Sequence, residues 1–189
     1  MNKNLYIISG CNGAGKTTAS FAILPQMLNC KEFVNADEIA RGLSPFQPDT
    51  VAFEAGRIML RRIEELMEAG ETFAFETTLA TKSYHVKIKQ AQQLGYKVTL
   101  LFFCLESIDL AIDRVATRVS EGGHNIHPDV IARRYKGGIR NLFSIYLPIV
   151  DEALIFDNTT TPELIAGKNK SEGFTVFKEE KFKRLSNED

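Results

Sequence analysis

The chain has 189 residues, of which 44% are hydrophobic and 25% are charged. This length and composition fit one globular domain and exclude a disordered, fibrous or collagenous chain. The formal net charge is −1, from 23 basic and 24 acidic residues, so no global charge attracts the chain to nucleic acid or to an anionic membrane.

Hydrophobic and cysteine patterns narrow the class further. No apolar run approaches the roughly 20 residues of a membrane-spanning helix, and the apolar stretch at residues 5–8 is too short for a signal-peptide core. The three cysteines, at positions 11, 30 and 104, are odd in number and widely spaced. This spacing favours reduced thiols in a cytoplasmic protein over a disulfide framework or a zinc site.

Segments typical of strands and of helices alternate along the chain. Short apolar runs predict strands at residues 5–8, 32–35, 72–76, 97–105 and 153–156. Apolar positions at 3.6-residue spacing predict helices from about residue 16, from Asp49 to Gly70, and at residues 83–94, 108–120 and 129–146. This alternation predicts an α/β fold, in which a parallel sheet is covered by helices on both faces.

The last part of the chain differs in composition. Residues 173–177 predict an edge strand, and eight of the twelve residues from Lys178 onward are charged. We therefore expect a main domain at residues 1–167, followed by an edge strand and a solvated, partly disordered tail within residues 168–189.

A glycine-rich motif of the form G-x-x-x-x-G-K-T occupies residues 10–17. It follows a predicted strand and precedes a predicted helix, which favours a Walker A phosphate loop over a purely structural glycine turn. Its glycines let backbone N–H groups face phosphate oxygens, Lys16 can reach the β- and γ-phosphates, and the Thr17 hydroxyl can ligate Mg²⁺. The residues of this loop expected to bind ATP are Gly10, Asn12, Gly13, Ala14, Gly15, Lys16, Thr17 and Thr18. Cys11 is either a redox-sensitive thiol or a small residue that the loop tolerates.

Other features select among the reactions of phosphate-loop proteins. No aspartate has a glycine three residues later, as a GTPase switch requires, and Asn169 begins N-K-S-E instead of the guanine-binding N-K-x-D. The L-S-G-G-Q-like signature of an ABC-type ATPase is absent as well. A kinase for a small acceptor remains, and it needs a base near the acceptor hydroxyl and cations around the transferred phosphoryl group.

Candidate carboxylates follow the second and third predicted strands, at the sheet edge where ligands of parallel sheets bind. Asp37 is the candidate catalytic base, with a helix cap as its alternative role. Asn35 either holds the turn or contacts substrate. Glu76 either binds acceptor hydroxyls, supports the water shell of the metal, or lies solvated in a Thr-rich turn. Asp157 and Asn158, after the fifth strand, are weaker candidates for which a turn or a helix cap is favoured.

Cations concentrate between residues 114 and 134. Arg114 and Arg118 are four residues apart on one helix face, and both are candidates for catalysis, with Arg118 also expected to bind ATP. Two arginine-bearing helices with a glycine break between them predict a lid, at about residues 110–140, that closes on a triphosphate; the alternative is a solvated basic face. His124 is either a lid contact or an ordinary loop histidine.

Taken in order, these motifs resemble the zeta-toxin family of phosphate-loop kinases. The matching stretches are residues 10–17, 34–43, 73–79, 95–98, 114–119, 122–124 and 133–135, within about residues 3–158. The Walker A motif is widely shared, whereas the ordered set is specific. The resemblance implies a five-stranded sheet of order 2-3-1-4-5 and ATP- and Mg²⁺-dependent phosphorylation of a hydroxyl on a nucleotide-sugar, which is UDP-N-acetylglucosamine in the characterised toxins.

The resemblance also implies residue roles. The family's base aspartate falls on Asp37, its substrate glutamate and threonine on Glu76 and Thr78, and its first lid arginine on Arg114. The second lid arginine, which precedes a proline in the toxins, has no counterpart before Pro128. Arg118, Arg133 and Arg134 are the alternatives for that charge. The expected substrate-binding set is Asn35, Asp37, Arg41, Glu76, Thr78, His124, Arg133 and Arg134, and an antitoxin protein is a candidate partner.

Two other functions remain open from the sequence. One is a phosphate-loop ATPase, or a nucleotide-dependent regulatory module, without a small-molecule acceptor. The other is a nucleic-acid end kinase, which the near-zero net charge disfavours because phosphate tracking requires clustered cations.

Overall fold

A computed structural model describes residues 3–123 and 125–187 of the chain. In this part of the chain, seven strands form one mixed sheet in the order β2-β3-β1-β4-β5-β6-β7. The strands are β1 (Asn4–Gly10), β2 (Glu32–Val34), β3 (Phe73–Thr77), β4 (Lys97–Cys104), β5 (Glu152–Asp157), β6 (Glu163–Asn169) and β7 (Gly173–Val176). Strands β1 to β5 pair in parallel, whereas β6 and β7 pair antiparallel.

Helices connect the parallel strands and cover the sheet. They are α1 (Lys16–Met27), α2 (Ala36–Leu43), α3 (Ala52–Ala69), α4 (Tyr84–Gln93), α5 (Ile108–Ser120), α6 (Pro128–Asn141), α7 (Leu147–Ile149) and α8 (Glu179–Ser186). A 3₁₀ turn (Pro48–Val51) precedes α3, and a π-helical segment (Leu142–Tyr146) joins α6 to α7. Within the described residues, none of the helices has both the length and the apolarity that crossing a bilayer requires.

The α/β fold and the order 2-3-1-4-5 of the first five strands are confirmed, but the expectation of a purely parallel five-stranded sheet is wrong. Only residues 158–162 separate β5 from β6. A parallel crossover needs about a dozen residues or more, so β6 must return antiparallel beside β5. Strand β7 then extends the sheet as a hairpin partner of β6.

The sheet register aligns the strand ends that carry the candidate site. Gly10 at the end of β1 pairs with Phe103 of β4, and Ser9 pairs with Thr77 of β3. Strand β4 is buried along almost its whole length, as its apolar composition predicts for a central strand covered on both faces. The phosphate loop and the segments after β2, β3 and β5 therefore emerge at one edge of the sheet.

The carboxyl-terminal segment differs from the expected solvated and partly disordered tail. Residues Glu179–Ser186 form helix α8, whose Leu185 is buried. The Phe182 ring packs edge-on against Phe143, with ring centroids 5.8 Å apart, and contacts Phe174 at 5.4 Å. These tertiary contacts explain a helix that charge composition alone does not indicate.

Candidate active site

The phosphate loop follows β1 in a conformation that only glycine suits. Gly10 has φ of 139°, and a Cβ atom there would lie 2.1 Å from the Phe103 carbonyl oxygen of the neighbouring strand. Gly13 and Gly15 also have positive φ values, and Cβ atoms there would press on Ala111 and Asn158. Backbone conformation and close packing therefore require glycine at these three positions, even without a bound ligand.

Lys16 lies at the first position of α1 and is directed back across the loop. Its side chain is buried, and its Nζ donates a hydrogen bond to the Cys11 carbonyl oxygen at 2.9 Å. The same Nζ is 3.5 Å from Glu76 Oε1 at the end of β3. The ammonium group is therefore held at the mouth of the loop by one carbonyl and one carboxylate.

Glu76 joins three elements of the site. Its Oε2 accepts hydrogen bonds from the Thr17 hydroxyl at 2.8 Å and from Asn35 Nδ2 at 3.0 Å. Asn35 in turn caps α2, because its side-chain oxygen accepts the Asp37 N–H at 2.9 Å. This contact is the one that the turn-holding role of Asn35 requires, and its contact with substrate stays a prediction. Asp37 itself lies in the first turn of the helix with its side chain exposed.

A single cleft of about 480 Å³ connects the phosphate loop to the start of α2. This volume lies in the range of small-molecule sites. The predicted site residues that line it are Asn12, Gly13, Gly15, Lys16, Thr17, Thr18, Asp37, Arg41, Glu76, Arg114 and Arg118. Asp37 therefore opens into the same space as Lys16, which is the relationship that a base and a phosphate-binding lysine require.

Arg114 is anchored more firmly than a mobile lid residue would be. Its guanidinium donates to the carbonyl oxygens of Asn158 at 3.0 Å and of Thr159 at 2.8 Å. The Asn158 side chain donates to the Ala14 carbonyl oxygen at 2.7 Å, inside the phosphate loop. The turn after β5 thus supports both the loop and the arginine, and Asn158 is a structural part of the site.

Other predicted site residues lie beside the cleft or behind it. Ala14 is fully buried within the loop, and Gly10 ends β1 against β4. Thr78 follows β3, where its carbonyl oxygen lies against Gly138 of α6. Arg134 on α6 donates to Asn12 Oδ1 at 3.3 Å, whereas the neighbouring Arg133 is exposed. The prediction for His124 falls outside the described residues.

Several lining residues were not singled out by sequence reasoning. They are Phe21, Ala36, Glu38, Ala40, Pro48 and Ala52, which line the cleft on the side of α2. Phe21 is 64% exposed, and its ring packs edge-on against Phe33. A signal for Phe21 exists in the sequence, because it follows Thr17 by four residues and therefore shares a face of α1.

The Cys11 side chain is buried beside the sheet and does not face the cleft. Gly10 pairs with Phe103 of β4, and Cys11 and Cys104 are the residues that follow them. The two thiols therefore lie in the same region. Burial, with a smaller contribution from the nearby Asp157 carboxylate, raises the pKa of Cys104 to about 12. The Cys104 thiol is therefore protonated at neutral pH. The burial of the Cys11 side chain favours a small residue that the loop tolerates over a redox-sensitive thiol.

Hard oxygen donors converge at Thr17 and Glu76. In residues 3–123 and 125–187, no group of three or more His, Cys, Asp or Glu side chains could hold a metal by itself. Mg²⁺ in phosphoryl-transfer sites is held by one or two protein oxygens together with phosphate oxygens and water. The donor set at this end of the cleft fits Mg²⁺ that arrives with a nucleotide.

Comparison with known proteins places this cleft in a family context. The family model for zeta toxin matches residues 1–169. The chain belongs to the zeta-toxin family. An uncharacterized protein of Haemophilus influenzae is 27% identical over 136 residues, which cover 71% of this chain and 94% of that protein. Residues 1–169, which the family model matches, contain the phosphate loop and the residues that line the cleft.

Solved structures show the same fold at low sequence identity. The AvrRxo1-ORF1:AvrRxo1-ORF2 complex with sulphate ions matches 98% of this chain at 17% identity, with a TM-score of 0.78. This chain covers 64% of that structure's chain, so it spans just under two thirds of its length. The PezAT toxin–antitoxin system of Streptococcus pneumoniae matches 99% of this chain and 86% of its own, at 16% identity and a TM-score of 0.70. This zeta-toxin-family chain therefore shares its fold with both structures.

Proposed function

We propose that this zeta-toxin-family protein is an ATP- and Mg²⁺-dependent kinase that transfers the γ-phosphoryl group to a hydroxyl of a nucleotide-sugar, with UDP-N-acetylglucosamine as the model acceptor. The observation that carries the proposal is the shared cleft, in which Lys16 and Thr17 at one end face Asp37 at the other. A phosphate-binding loop, a carboxylate and a space of small-molecule size are what hydroxyl phosphorylation requires.

The nucleotide end of the cleft would bind the triphosphate. Backbone N–H groups of the phosphate loop and the start of α1 supply donors, and Lys16 supplies a positive charge. Mg²⁺, when bound with the nucleotide at Thr17 and Glu76, would neutralise charge on the phosphate oxygens. The solved AvrRxo1-ORF1:-ORF2 complex with ATP, which matches 98% of this chain, supports ATP as the donor.

The acceptor end of the cleft would position the hydroxyl near Asp37. As the acceptor oxygen forms its bond to the γ-phosphorus, the bond from phosphorus to the ADP oxygen breaks and the hydroxyl proton passes to the Asp37 carboxylate. Arg114 and Arg118, on the α5 side of the cleft, stabilise the charge on the transferred group. In this mechanism positioning and charge stabilisation supply most of the rate.

The acceptor class is supported by the α2 side of the cleft. Phe21 offers an exposed aromatic face, and Arg41 lines the same space with its guanidinium 3.2 Å from Glu38. An aromatic face and a cation suit an acceptor that has a ring and an anionic group, as a nucleotide-sugar does. Thr78, Arg133, Arg134 and His124 stay candidates for acceptor contacts.

The proposal includes a protein partner and a cytoplasmic location. The similar AvrRxo1 and PezAT structures are, respectively, a complex of two ORF products and a toxin–antitoxin system. An antitoxin is therefore the partner that we propose for this chain. Reduced Cys30 and Cys104 suit the reducing environment of the cytoplasm.

The deciding experiment incubates the purified chain with ATP, Mg²⁺ and a panel of nucleotide-sugars. We expect a mass gain of one phosphoryl group on one acceptor, and no gain with Lys16→Ala, which removes the phosphate-binding charge. ATP hydrolysis that no acceptor accelerates would instead favour an ATPase or regulatory module. Transfer of the labelled γ-phosphoryl group to RNA or DNA ends, but to none of the nucleotide-sugars, would identify a nucleic-acid kinase.

A further inference from the structure

Helix α8 is attached to the sheet by a buried carboxylate. The Asp157 side chain is 1% exposed, and its Oδ2 lies 3.0 Å from Lys181 Nζ and 3.0 Å from Arg184 Nη2. Arg184 also reaches Glu106, at 3.8 Å. A buried carboxylate without cationic partners is strongly destabilising, so these pairs tie the helix to the end of β5. Helix α8 lies beyond residues 1–169, which the family model matches.

Asp157 also shapes the turn that follows it. Its Oδ1 accepts the Thr159 N–H at 2.8 Å, which closes the turn of residues 157–159. The Thr159 hydroxyl in turn accepts the Glu106 N–H at 3.0 Å. The two oxygens of Asp157 thus have different partners: Oδ2 binds the cations of α8, and Oδ1 binds the backbone of the turn.

This turn is in direct contact with the phosphate loop. Asn158 donates to the Ala14 carbonyl oxygen, and a Cβ atom at Gly15 would lie 2.7 Å from Asn158 Nδ2. The carbonyl oxygen of Asn158 accepts a hydrogen bond from Arg114 Nη1, and that of Thr159 accepts one from Arg114 Nη2. Because hydrogen bonds join the turn to both the loop and Arg114, and Asn158 packs closely against Gly15, a displaced turn displaces the loop and the arginine with it.

We propose that Asp157 and Arg184 are positioning residues for nucleotide binding: α8 fixes the turn of residues 157–159, and the turn fixes Arg114 and the phosphate loop. The inference rests on the proposed function in that the loop must bind ATP. The inference goes beyond the proposed function because it makes ATP affinity depend on a helix outside residues 1–169, the part of the chain that the family model matches. A helix that only stabilises the fold would change the unfolding temperature and leave ATP affinity unchanged.

The test compares two charge-removing variants of α8 in the full chain. The double variant Lys181→Gln/Arg184→Gln leaves the Asp157 carboxylate without both cations, and we expect ATP/Mg²⁺ to bind roughly tenfold more weakly. Lys183→Gln is the matched control, because Lys183 pairs with Glu179 on the exposed face of the same helix. Binding is measured by calorimetry well below the unfolding temperature of each variant.

Two further variants identify the route of the effect. In an Arg114→Ala background, the α8 double variant should weaken ATP binding by less than about threefold, because coupled sites are non-additive. Adding Asp157→Asn to the double variant should restore much of the affinity, since the amide oxygen can still accept the Thr159 N–H and needs no cation.

Three other results would contradict the inference or the function on which it rests. Unchanged ATP affinity in the double variant, with tight binding by the unaltered chain, would overturn the inference and leave the proposed function standing. An undiminished effect in the Arg114→Ala background would refute positioning through Arg114. If the unaltered chain binds no ATP, the proposed function fails and this inference fails with it.

Discussion

The Thr17 hydroxyl donates a hydrogen bond to Glu76 Oε2 across 2.8 Å, although 59 residues separate them in sequence. The parallel pairing of β1 with β3 brings the two together, because Thr17 is in the first turn of α1, after the loop that follows β1, and Glu76 is the penultimate residue of β3. Lys16 approaches the other oxygen of the same carboxylate. Glu76 is thus tied to the two side chains that a phosphate loop uses for its nucleotide.

The Glu76 side chain is only 10% exposed, so it is not a solvated turn residue, and a substitution can distinguish the two functional roles that the sequence leaves open for it. In Glu76→Gln, we expect the Mg²⁺ concentration needed for half-maximal ATP binding to rise roughly tenfold, because the carboxylate beside Thr17 loses its charge. Titration of ATP binding with Mg²⁺ measures this directly. If the Mg²⁺ dependence stays the same and only the KM for the acceptor rises, Glu76 binds acceptor hydroxyls instead.

Asp37→Asn tests the base. The amide cannot accept the hydroxyl proton, so we expect kcat to fall by roughly 10² to 10⁴ while the affinity for ATP is retained. The backbone N–H of residue 37, which donates to the capping Asn35 side chain, is untouched by this change. Initial rates and ATP titration of the same preparation are the measurement, and normal turnover would rule out Asp37 as the base.

Acid sensitivity follows from Asp157. Burial raises the pKa of this carboxyl, but the hydrogen bonds from Thr159 and the ion pair with Lys181 outweigh burial and hold the pKa below its ordinary value. A lowered folded-state pKa stabilises the fold above about pH 4, and the contribution is lost as the pH falls below that value. We expect the free energy of unfolding to decrease there, and Asp157→Asn to flatten that decrease. Equal slopes for both proteins in denaturant titrations between about pH 4 and pH 2.5 would contradict this.

Sequence reasoning predicted the parts of the site that depend on local order. A strand, a glycine motif and a helix in succession define the phosphate loop, and carboxylates that follow parallel strands meet at one edge. Lys16, Asp37 and Glu76 line one cleft for these reasons.

The parts that depend on long-range packing could not be predicted in this way. The contact of Asn158 with Ala14 spans 144 residues, and that of Arg134 with Asn12 spans 122. Neither has a local signal, because each requires the positions of two elements to be known. The same holds for α8, whose aromatic contacts and ion pairs come from distant segments, while its own composition resembles a solvated tail.

Gly10 offers a test of the strand register that builds the site. A Cβ atom at this position would meet the Phe103 carbonyl oxygen at 2.1 Å, and φ of 139° is unfavourable for any other residue. We expect Gly10→Ala to lower the free energy of unfolding by roughly 3 kcal/mol or more. Urea denaturation measures the change.

Gly56→Ala is the matched control, since Gly56 lies in α3, where an added Cβ would have no heavy atom within 4 Å beyond its chain neighbours and the backbone of its own helix. Alanine is the better helix former, so this variant should be more stable by about 0.5–1 kcal/mol. The opposite signs of the two changes follow from backbone conformation and local space alone. If Gly10→Ala proved as stable as the unaltered chain, the pairing of Gly10 with Phe103, and with it the position of the phosphate loop on the sheet edge, would have to be revised.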